Sequence, residues 1–152
     1  MLRNPDAGWV DFKIGDFESC LSIVGGHVAL DFLQAFINRC ENKQPLMLCG
    51  DEETVYVVFI EVPWFGFYGI RHVHDNLPPK AIYLEDVCLV SLANELIADV
   101  ERDIYEWSTW MSGDYQKRYE DINIAIARLK KLLHESPPQT LLKWPENGDS
   151  SC

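Results

Sequence analysis

Positive charge is scarce in this sequence. Its 152 residues contain 13 Lys and Arg against 24 Asp and Glu, which gives a formal net charge of −11 at pH 7. Lys and Arg that neutralise phosphates supply most of the affinity of proteins for nucleic acids, and anionic membrane surfaces attract the same residues. We therefore expect neither nucleic acid nor a membrane as a direct partner.

Long hydrophobic runs are also missing. The longest mostly apolar stretches, 55–60 and 87–92, fall far short of the roughly 20 residues that cross a bilayer. Residues 1–15 contain no apolar run of the length that a secretory signal needs. These absences predict a cytoplasmic protein.

The cysteines form no C-x-x-C pair, so the sequence predicts neither a zinc ribbon nor a redox pair. Free cysteine is among the most buried residue types in proteins. We expect four of the five cysteines to be reduced and buried, and the terminal Cys152 to be incidental. The four are Cys20, Cys40, Cys49 and Cys88.

Signatures of enzymes are missing as well. No dinucleotide-binding loop, phosphate-binding P-loop or G-x-S-x-G nucleophile motif occurs. His72 and His74 would share one face of a strand, where they could serve a metal or a substrate. The segment resembles the metallohydrolase pattern H-x-H-x-D-H, but Asp75 follows His74 directly and no histidine comes next. The sequence predicts no metal and no cofactor, and a hydrolase that uses the two histidines is kept as the second alternative.

Apolar residues, by contrast, are plentiful. Hydrophobic residues make up 47% of the chain and aromatic residues 12%. A chain of this length can bury roughly two thirds of its unfolded surface. We therefore expect one packed domain over residues 1–144, followed by a flexible tail over 145–152.

The first half of the chain has the patterns of several strands and one helix. Apolar residues three and four positions apart predict a helix from Val28 to about Asn42. Gly66 and Gly69 should weaken or bulge the last strand of this half. The predicted strands are Trp9–Ile14, 46–49, 55–62 and 65–74, with an acidic turn at 50–53.

The second half is mostly helical. Steps of three and four predict one long helix from about Glu85 to Met111, after a short strand at 81–84. Gly113 and Asp114 should end this helix and cap a second one. The predicted buried seam of the second helix is Tyr115, Tyr119, Ile122, Ile126, Leu129, Leu132 and Leu133. The sum is an α+β domain in which a small, mainly antiparallel sheet packs against one helix from the N-terminal half and a C-terminal helical hairpin.

Negative charge is concentrated on the predicted long helix. Residues 85–106 carry seven acids and one base, a net charge of −6. Four of the acids, spaced by four, four and three, would form one ridge opposite the apolar seam. Such a ridge is either an ordinary solvated face or a surface that steers a cationic partner. It consists of Glu95, Asp99, Asp103 and Glu106.

Aromatic residues cluster just after the predicted strand 55–62, with four aromatics and two glycines over residues 64–69. Neighbouring residues of a strand alternate between its faces, so at least one aromatic should lie on the outer side of the sheet, where it could anchor an interface. On the long helix, Trp107 fits the buried seam, whereas Trp110 lies off it and should be exposed.

These features predict a non-enzymatic, acidic binding protein with a basic protein partner. In size, charge and aromatic content the chain resembles the small immunity proteins with which bacteria neutralise toxins. The resemblance implies that acids cover the cationic active-site cleft of a nuclease-type toxin while aromatic side chains fill apolar pockets. The first alternative is another interaction module, such as a phage inhibitor, an adaptor or a subunit of a complex, with an exposed hydrophobic face. The residues predicted to bind the partner are Asp51, Glu52, Glu53, Trp64, Tyr68, Glu95, Asp99, Asp103, Glu106 and Trp110.

Overall fold

Strands occupy most of the first half of the chain, and helices occupy most of the second. The computed structural model describes residues 1–6, 8–23, 27–52, 55–73, 78–85, 87–109 and 113–135, with the backbone alone for residues 72 and 73. The predicted tail and the predicted boundary at residue 144 lie outside these ranges. The strands are β1 (Leu2–Asp6), β2 (Trp9–Ile14), β3 (Phe17–Ser22), β4 (Met47–Glu52), β5 (Val55–Val62), β6 (Gly66–Val73) and β7 (Lys80–Leu84). The helices are α1 (Val28–Asn42), α2 (Leu89–Arg102), α3 (Ile104–Thr109) and α4 (Tyr115–Glu135).

The strands lie side by side in chain order, each antiparallel to the next. Connections too short for a crossover favour this pairing, and α1 forms the one long connection, between β3 and β4. Over the described ranges β3 and β4 share the single pair Ser22–Asp51. The strands therefore form two antiparallel sheets, β1–β3 and β4–β7, that meet at a corner, and the predicted α+β architecture is confirmed.

The two sheets fold toward each other because two glycines let side chains of β3 approach the backbone of β4 and β6. A β-carbon at Gly69 would lie 2.3 Å from Cδ2 of Phe17, and one at Gly50 would lie 2.8 Å from Cδ1 of Leu21. Non-bonded carbon atoms prefer about 3.5–4.0 Å, so both positions need glycine. β6 pairs with β5 in a regular register through Gly69, and the predicted bulge is therefore wrong.

One core joins the inner faces of the sheets to the buried faces of all four helices. Phe12 of β2 meets Phe32 of α1 edge to face, with ring centroids 5.5 Å apart. Arg39 of α1 is buried and forms two hydrogen bonds with the buried Glu61 of β5, at 2.7 and 2.9 Å. Glu61 also accepts a hydrogen bond from the Leu46 backbone N–H at 2.9 Å. This ion pair fixes α1 to β5 and to the residue before β4.

The predicted long helix is two helices. α2 begins at Leu89 rather than near Glu85, and it ends at Arg102. Asp103 leaves the helical conformation, with φ −111° and ψ 27°, and its carboxylate accepts hydrogen bonds from the Arg102 guanidinium. The apolar periodicity continues into α3, so periodicity alone could not reveal the break.

α4 packs against α1 and completes the helical hairpin. Asp114 caps it as predicted, because its Oδ1 accepts a hydrogen bond from the Lys117 backbone N–H at 3.0 Å, and Gly113 has a positive φ of 119°. Lys130 reaches back to Glu101 of α2 at 2.7 Å. No helix in the described part of the chain is both long and apolar enough to cross a bilayer.

The predicted seam of α4 is buried over only part of its length. Ile122, Ile126 and Leu129 are buried as predicted, but Tyr115 and Tyr119 are exposed. α3 has six residues and contacts the start of α4 through the Ser108 carbonyl, which accepts a hydrogen bond from Arg118 at 2.8 Å, but both tyrosines stay in solvent.

Candidate protein-binding surface

One side of β4–β7 points away from the helices and the core, and we call it the outer face. Paired residues of antiparallel strands project on the same side of a sheet, so the register defines its composition. Strands lie about 4.8 Å apart, so a row of four residues spans about 14 Å. The first row is Met47, Ile60, Tyr68 and Tyr83, the second is Cys49, Val58, Ile70 and Ala81, and Asp51, Tyr56 and Val62 border them.

The outer face is open to solvent although it is apolar. None of these eleven residues is buried, and the side chains of Met47, Tyr56 and Tyr83 are 54%, 47% and 51% exposed. Val57 and Phe59, which point to the other side of β5, are at most 1% exposed. A contiguous exposed apolar patch marks an interaction site more often than a plain surface.

Packing holds the aromatic side chains of the first row in place. The rings of Tyr68 and Tyr83 meet edge to face, with centroids 5.3 Å apart. Tyr83 also covers Gly66, where a β-carbon would lie 2.9 Å from its Cε2. A surface that is ordered before binding loses less side-chain entropy when a partner covers it.

Two more exposed aromatics lie in the turn between β5 and β6. Trp64 is 67% exposed and Phe65 is 69% exposed, and the Phe65 backbone N–H closes the turn by donating to the Val62 carbonyl at 3.0 Å. The next two aromatics separate: Phe67 faces inward and Tyr68 lies on the outer face. The prediction that at least one aromatic of this cluster faces outward is confirmed.

The predicted acidic ridge is not a continuous exposed surface. Asp99 is buried, where it accepts hydrogen bonds from the Met1 ammonium group at 2.7 Å and from Arg102 at 2.7 Å. Glu95 pairs with the same ammonium group and with Arg3. The prediction was wrong because β1 lies against α2 and brings cations that are distant in sequence.

The other two ridge residues separate at the helix break. Asp103 pairs with Arg102 at 2.6 Å, and Glu106 is exposed on α3. Burial by itself would raise the pKa of Asp99, but hydrogen bonds from the Met1 ammonium group and Arg102 outweigh it and hold the pKa below its ordinary value. Three of the four predicted ridge acids are thus neutralised inside the molecule.

Asp51 and Glu52 do not lie in a turn as predicted, because β4 continues through both. Glu52 is partly buried, accepts a hydrogen bond from Ser19 at 2.8 Å and pairs with Arg71 at 2.5 Å. Asp51 is exposed at the end of the outer face. Glu53 and Trp110, two further predicted binding residues, lie outside the described residues.

A polar groove of about 540 Å³ lies beside β3, near the corner between the sheets. Lys13 pairs with Glu18 at 2.9 Å and Arg71 with Glu52 at 2.5 Å, and the lining holds three cations and three acids. The lining therefore offers no unbalanced charge to an ionic ligand. The cations are Arg3, Lys13 and Arg71, and the acids are Asp11, Glu18 and Glu52.

The histidine hypothesis falls largely on residues that are not described. The backbone of His72 belongs to β6, its side chain is outside the description, and so is the whole of His74. Within the described ranges no group of three or more His, Cys, Asp or Glu residues could hold a metal ion. The hydrolase stays an untested alternative.

The cysteines are less buried than predicted. Cys49 and Cys88 are exposed, and Cys20 and Cys40 are half-buried. Cys49 falls on the outer face because its neighbours in β4 point inward. At the start of α2, hydrogen bonds from the hydroxyl and backbone N–H of Ser91 lower the pKa of the Cys88 thiol.

Of the eleven outer-face residues, only Tyr68 and Asp51 were among the predicted binding residues, and the predicted Trp64 lies in the neighbouring turn. The signal for the rest of the outer face was in β5, where residues 55–62 are apolar on both faces instead of alternating. An antiparallel strand with one face in solvent normally alternates apolar and polar residues. A strand that is apolar on both faces therefore indicates that its outer face also binds something, either another part of the chain or a partner. No protein-family model, no curated protein and no solved structure matches this chain.

Proposed function

We propose that this chain is a cytoplasmic binding protein that docks a positively charged protein through its outer face. The observation that carries the proposal is the two exposed apolar rows on β4–β7 of a chain whose net charge is −11. Protein interfaces have an apolar centre rich in aromatic residues, and the first row of the outer face, with Tyr68 and Tyr83, has this composition.

Charge complementarity determines the kind of partner. The net charge of −11 acts on any partner that comes within about a Debye length, about 8 Å, of the protein. The net charge of −11 repels an acidic protein or a second copy, and it speeds the approach of a basic one. Arginine side chains stack well on tyrosine rings, which Tyr68 and Tyr83 provide.

Site-specific crosslinking tests the proposal. A photoreactive phenylalanine analogue replaces Tyr83 on the outer face or, as the control, the exposed Tyr105 on α3. In cells that naturally make the protein, position 83 should crosslink one protein with a basic isoelectric point, and position 105 should not. Identical products at both positions, an acidic product, or crosslinks between two copies of the chain would contradict the proposal.

The affinity of the crosslinked protein, once purified, gives the second measurement. Replacing Met47, Ile60 and Tyr83 by threonine, which suits strands, defines the outer-face variant. It should weaken binding at least about 30-fold, which corresponds to about 2 kcal/mol. Wild-type affinity should also fall as salt rises from about 50 to 500 mM. Equal affinity of the wild type and this variant would reject the outer face. The helix control variant, with Tyr105, Tyr115 and Tyr119 replaced by glutamine, should bind like the wild type.

Inhibition of a nuclease-type toxin is a second, narrower candidate. The net charge of −11, with Asp51 and Glu106 exposed, favours it because carboxylates can occupy positions where a nuclease holds substrate phosphates. The experiment co-expresses the chain with the product of the adjacent gene and measures growth. Protection that the outer-face variant loses and the helix control variant keeps supports this candidate. An adjacent gene product that is harmless on its own removes it.

A further inference from the structure

The two outermost strands, β1 and β7, differ in how well they are protected against the addition of another strand. At β1 the register with β2 is interrupted, Asn4 has a positive φ of 52°, and Pro5 has no N–H to donate. The Leu2 backbone N–H donates a hydrogen bond to the carboxylate of Asp99 in α2, at 3.0 Å. Irregular register, proline and a covering helix are the devices with which proteins block strand addition at an edge.

β7 has almost none of these devices. It pairs with β6 in a regular register over residues 80–84, contains no proline, and within the described residues pairs with β6 alone. Residues 80–83 are exposed. In an antiparallel edge strand, alternate backbone N–H and C=O groups point away from the sheet, so β7 offers hydrogen bonds to another strand. Lys80 is its one charged residue.

We infer that the partner adds an extended, cationic strand to the edge of β7. This inference rests on the proposed function and specifies the form of the contact. An added strand would lie about 4.8 Å beyond β7 and would continue both rows of the outer face past Ala81 and Tyr83. On the other side it would cover Ile82, which is 44% exposed. Main-chain hydrogen bonds supply affinity in this mode of recognition, and alternate side chains supply specificity.

The same geometry would allow a second copy to pair through its own β7. Charge opposes that occupant, because each copy carries a net charge of −11. A strand with arginine or lysine between apolar residues has apolar side chains that extend the rows and positive charge that complements the net charge of −11.

A set of three synthetic peptides tests the inference on the full chain. The probe is an eight-residue peptide of alternating valine and arginine. One control replaces the valines by proline, which keeps the charge and prevents strand pairing. The other replaces the arginines by glutamate. The valine–arginine peptide should bind at least tenfold tighter than either control and should protect the β7 amides from hydrogen exchange. Equal affinity for the two cationic peptides, or protection elsewhere without β7, would overturn the inference.

Proline substitutions in β7 provide the matched variants. Neighbouring residues of an edge strand direct their backbone N–H groups to opposite sides of the strand. Of the two variants Ala81→Pro and Ile82→Pro, one therefore removes an N–H that points away from the sheet and leaves the hydrogen bonds with β6 intact. Circular dichroism and exchange protection of β6 identify that variant. It should bind the peptide at least tenfold more weakly, whereas Tyr105→Gln should not change the affinity.

Two outcomes separate this inference from the proposed function. If the crosslinked protein still binds the folded proline variant but not the outer-face variant, strand addition is rejected and the proposed function stands. If the wild type is a dimer in solution and the proline variant is a monomer, the occupant is a second copy and the cationic strand is rejected.

Discussion

At the scale of single residues, the molecule balances much of its charge in specific buried or half-buried pairs. Asp99 and the Arg39–Glu61 pair are the clearest cases, because all three side chains are buried. Two partners of Asp99, Met1 and Leu2, lie 98 and 97 residues away in sequence. Helical spacing shows which acids share a face, but it contains no information about which cations another element brings to that face.

Asp99→Asn should destabilise the protein. The substitution removes the negative charge that holds the Met1 ammonium group and Arg102, and hydrogen bonds to charged groups contribute roughly 2 kcal/mol each. Urea unfolding at pH 7 measures the loss. Glu101→Gln is the control, because Glu101 forms an exposed pair and should cost less than about 1 kcal/mol.

The effect of Asp99→Asn should depend on pH. The pKa of Asp99 is lowered in the folded state, so its contribution is complete above the pKa of the unfolded chain, about 3.9, and is lost as pH falls through the folded value. The difference in unfolding free energy between wild type and variant should therefore shrink below about pH 4. A difference that stays constant down to pH 2 would show that the charge of Asp99 is not responsible.

Gly69→Ala should also destabilise the protein, in this case through overpacking. The added carbon would lie 2.3 Å from the ring of Phe17, which is 1% exposed and has little room to move. Overpacking of this kind costs about 1–3 kcal/mol. Thermal unfolding of the single and double variants measures the coupling: the penalty of Gly69→Ala should be smaller when Phe17 is already leucine. An equal penalty in both backgrounds would mean that the close contact is not its source.

At the scale of secondary structure, strongly patterned segments were predicted well. α1 and β5 begin and end where the apolar pattern places them, and Asp114 caps α4 as its side-chain chemistry requires. β1 and β3 were not predicted, because β1 has few apolar residues and contains Pro5, and the apolar residues of β3 do not alternate. They form strands because β2 offers a partner to both, and that information lies in tertiary pairing rather than in local sequence.

Asp114→Ala should weaken the start of α4 by about 1 kcal/mol, because the Lys117 backbone N–H loses its acceptor. Thermal unfolding followed by circular dichroism measures the change. Asp114→Asn keeps a side-chain oxygen at the same place and should remain close to the wild type. Equal stability of the alanine and asparagine variants would mean that the cap contributes nothing.

At the scale of the whole molecule, the surplus of negative charge has opposite effects on stability and on association. With a net charge of −11, the folded chain repels itself, and added salt screens this repulsion. Raising sodium chloride from about 10 to 200 mM should stabilise the isolated protein by about 1 kcal/mol, or about 2–4 °C in Tm. Sucrose of equal osmolality at low salt controls for general solute effects. A Tm that falls with salt would show that the internal ion pairs outweigh the repulsion.

The fold class could be derived from the sequence, but the candidate binding surface could be derived only in part. Alternation and helical spacing are local, and they were sufficient for an α+β domain with a helical hairpin. The outer face needs the register of four strands, which places Met47 beside Ile60 and Tyr68 beside Tyr83. One residue of slippage would exchange the two faces of a strand, so this surface depends on pairing that the sequence specifies only through the complete sheet.

The bond between Leu2 and Asp99 spans 97 residues and therefore sets an order of events during synthesis. Ribosomes add about 5–20 residues per second, so the first strand waits roughly 5–20 seconds for the helix that takes up its outward backbone groups. During that interval the start of β1 lacks the protection that α2 gives its Leu2 backbone N–H. Slow translation between β3 and α2 should therefore lower the soluble yield of this protein, and a chaperone that holds extended N-terminal segments should restore it.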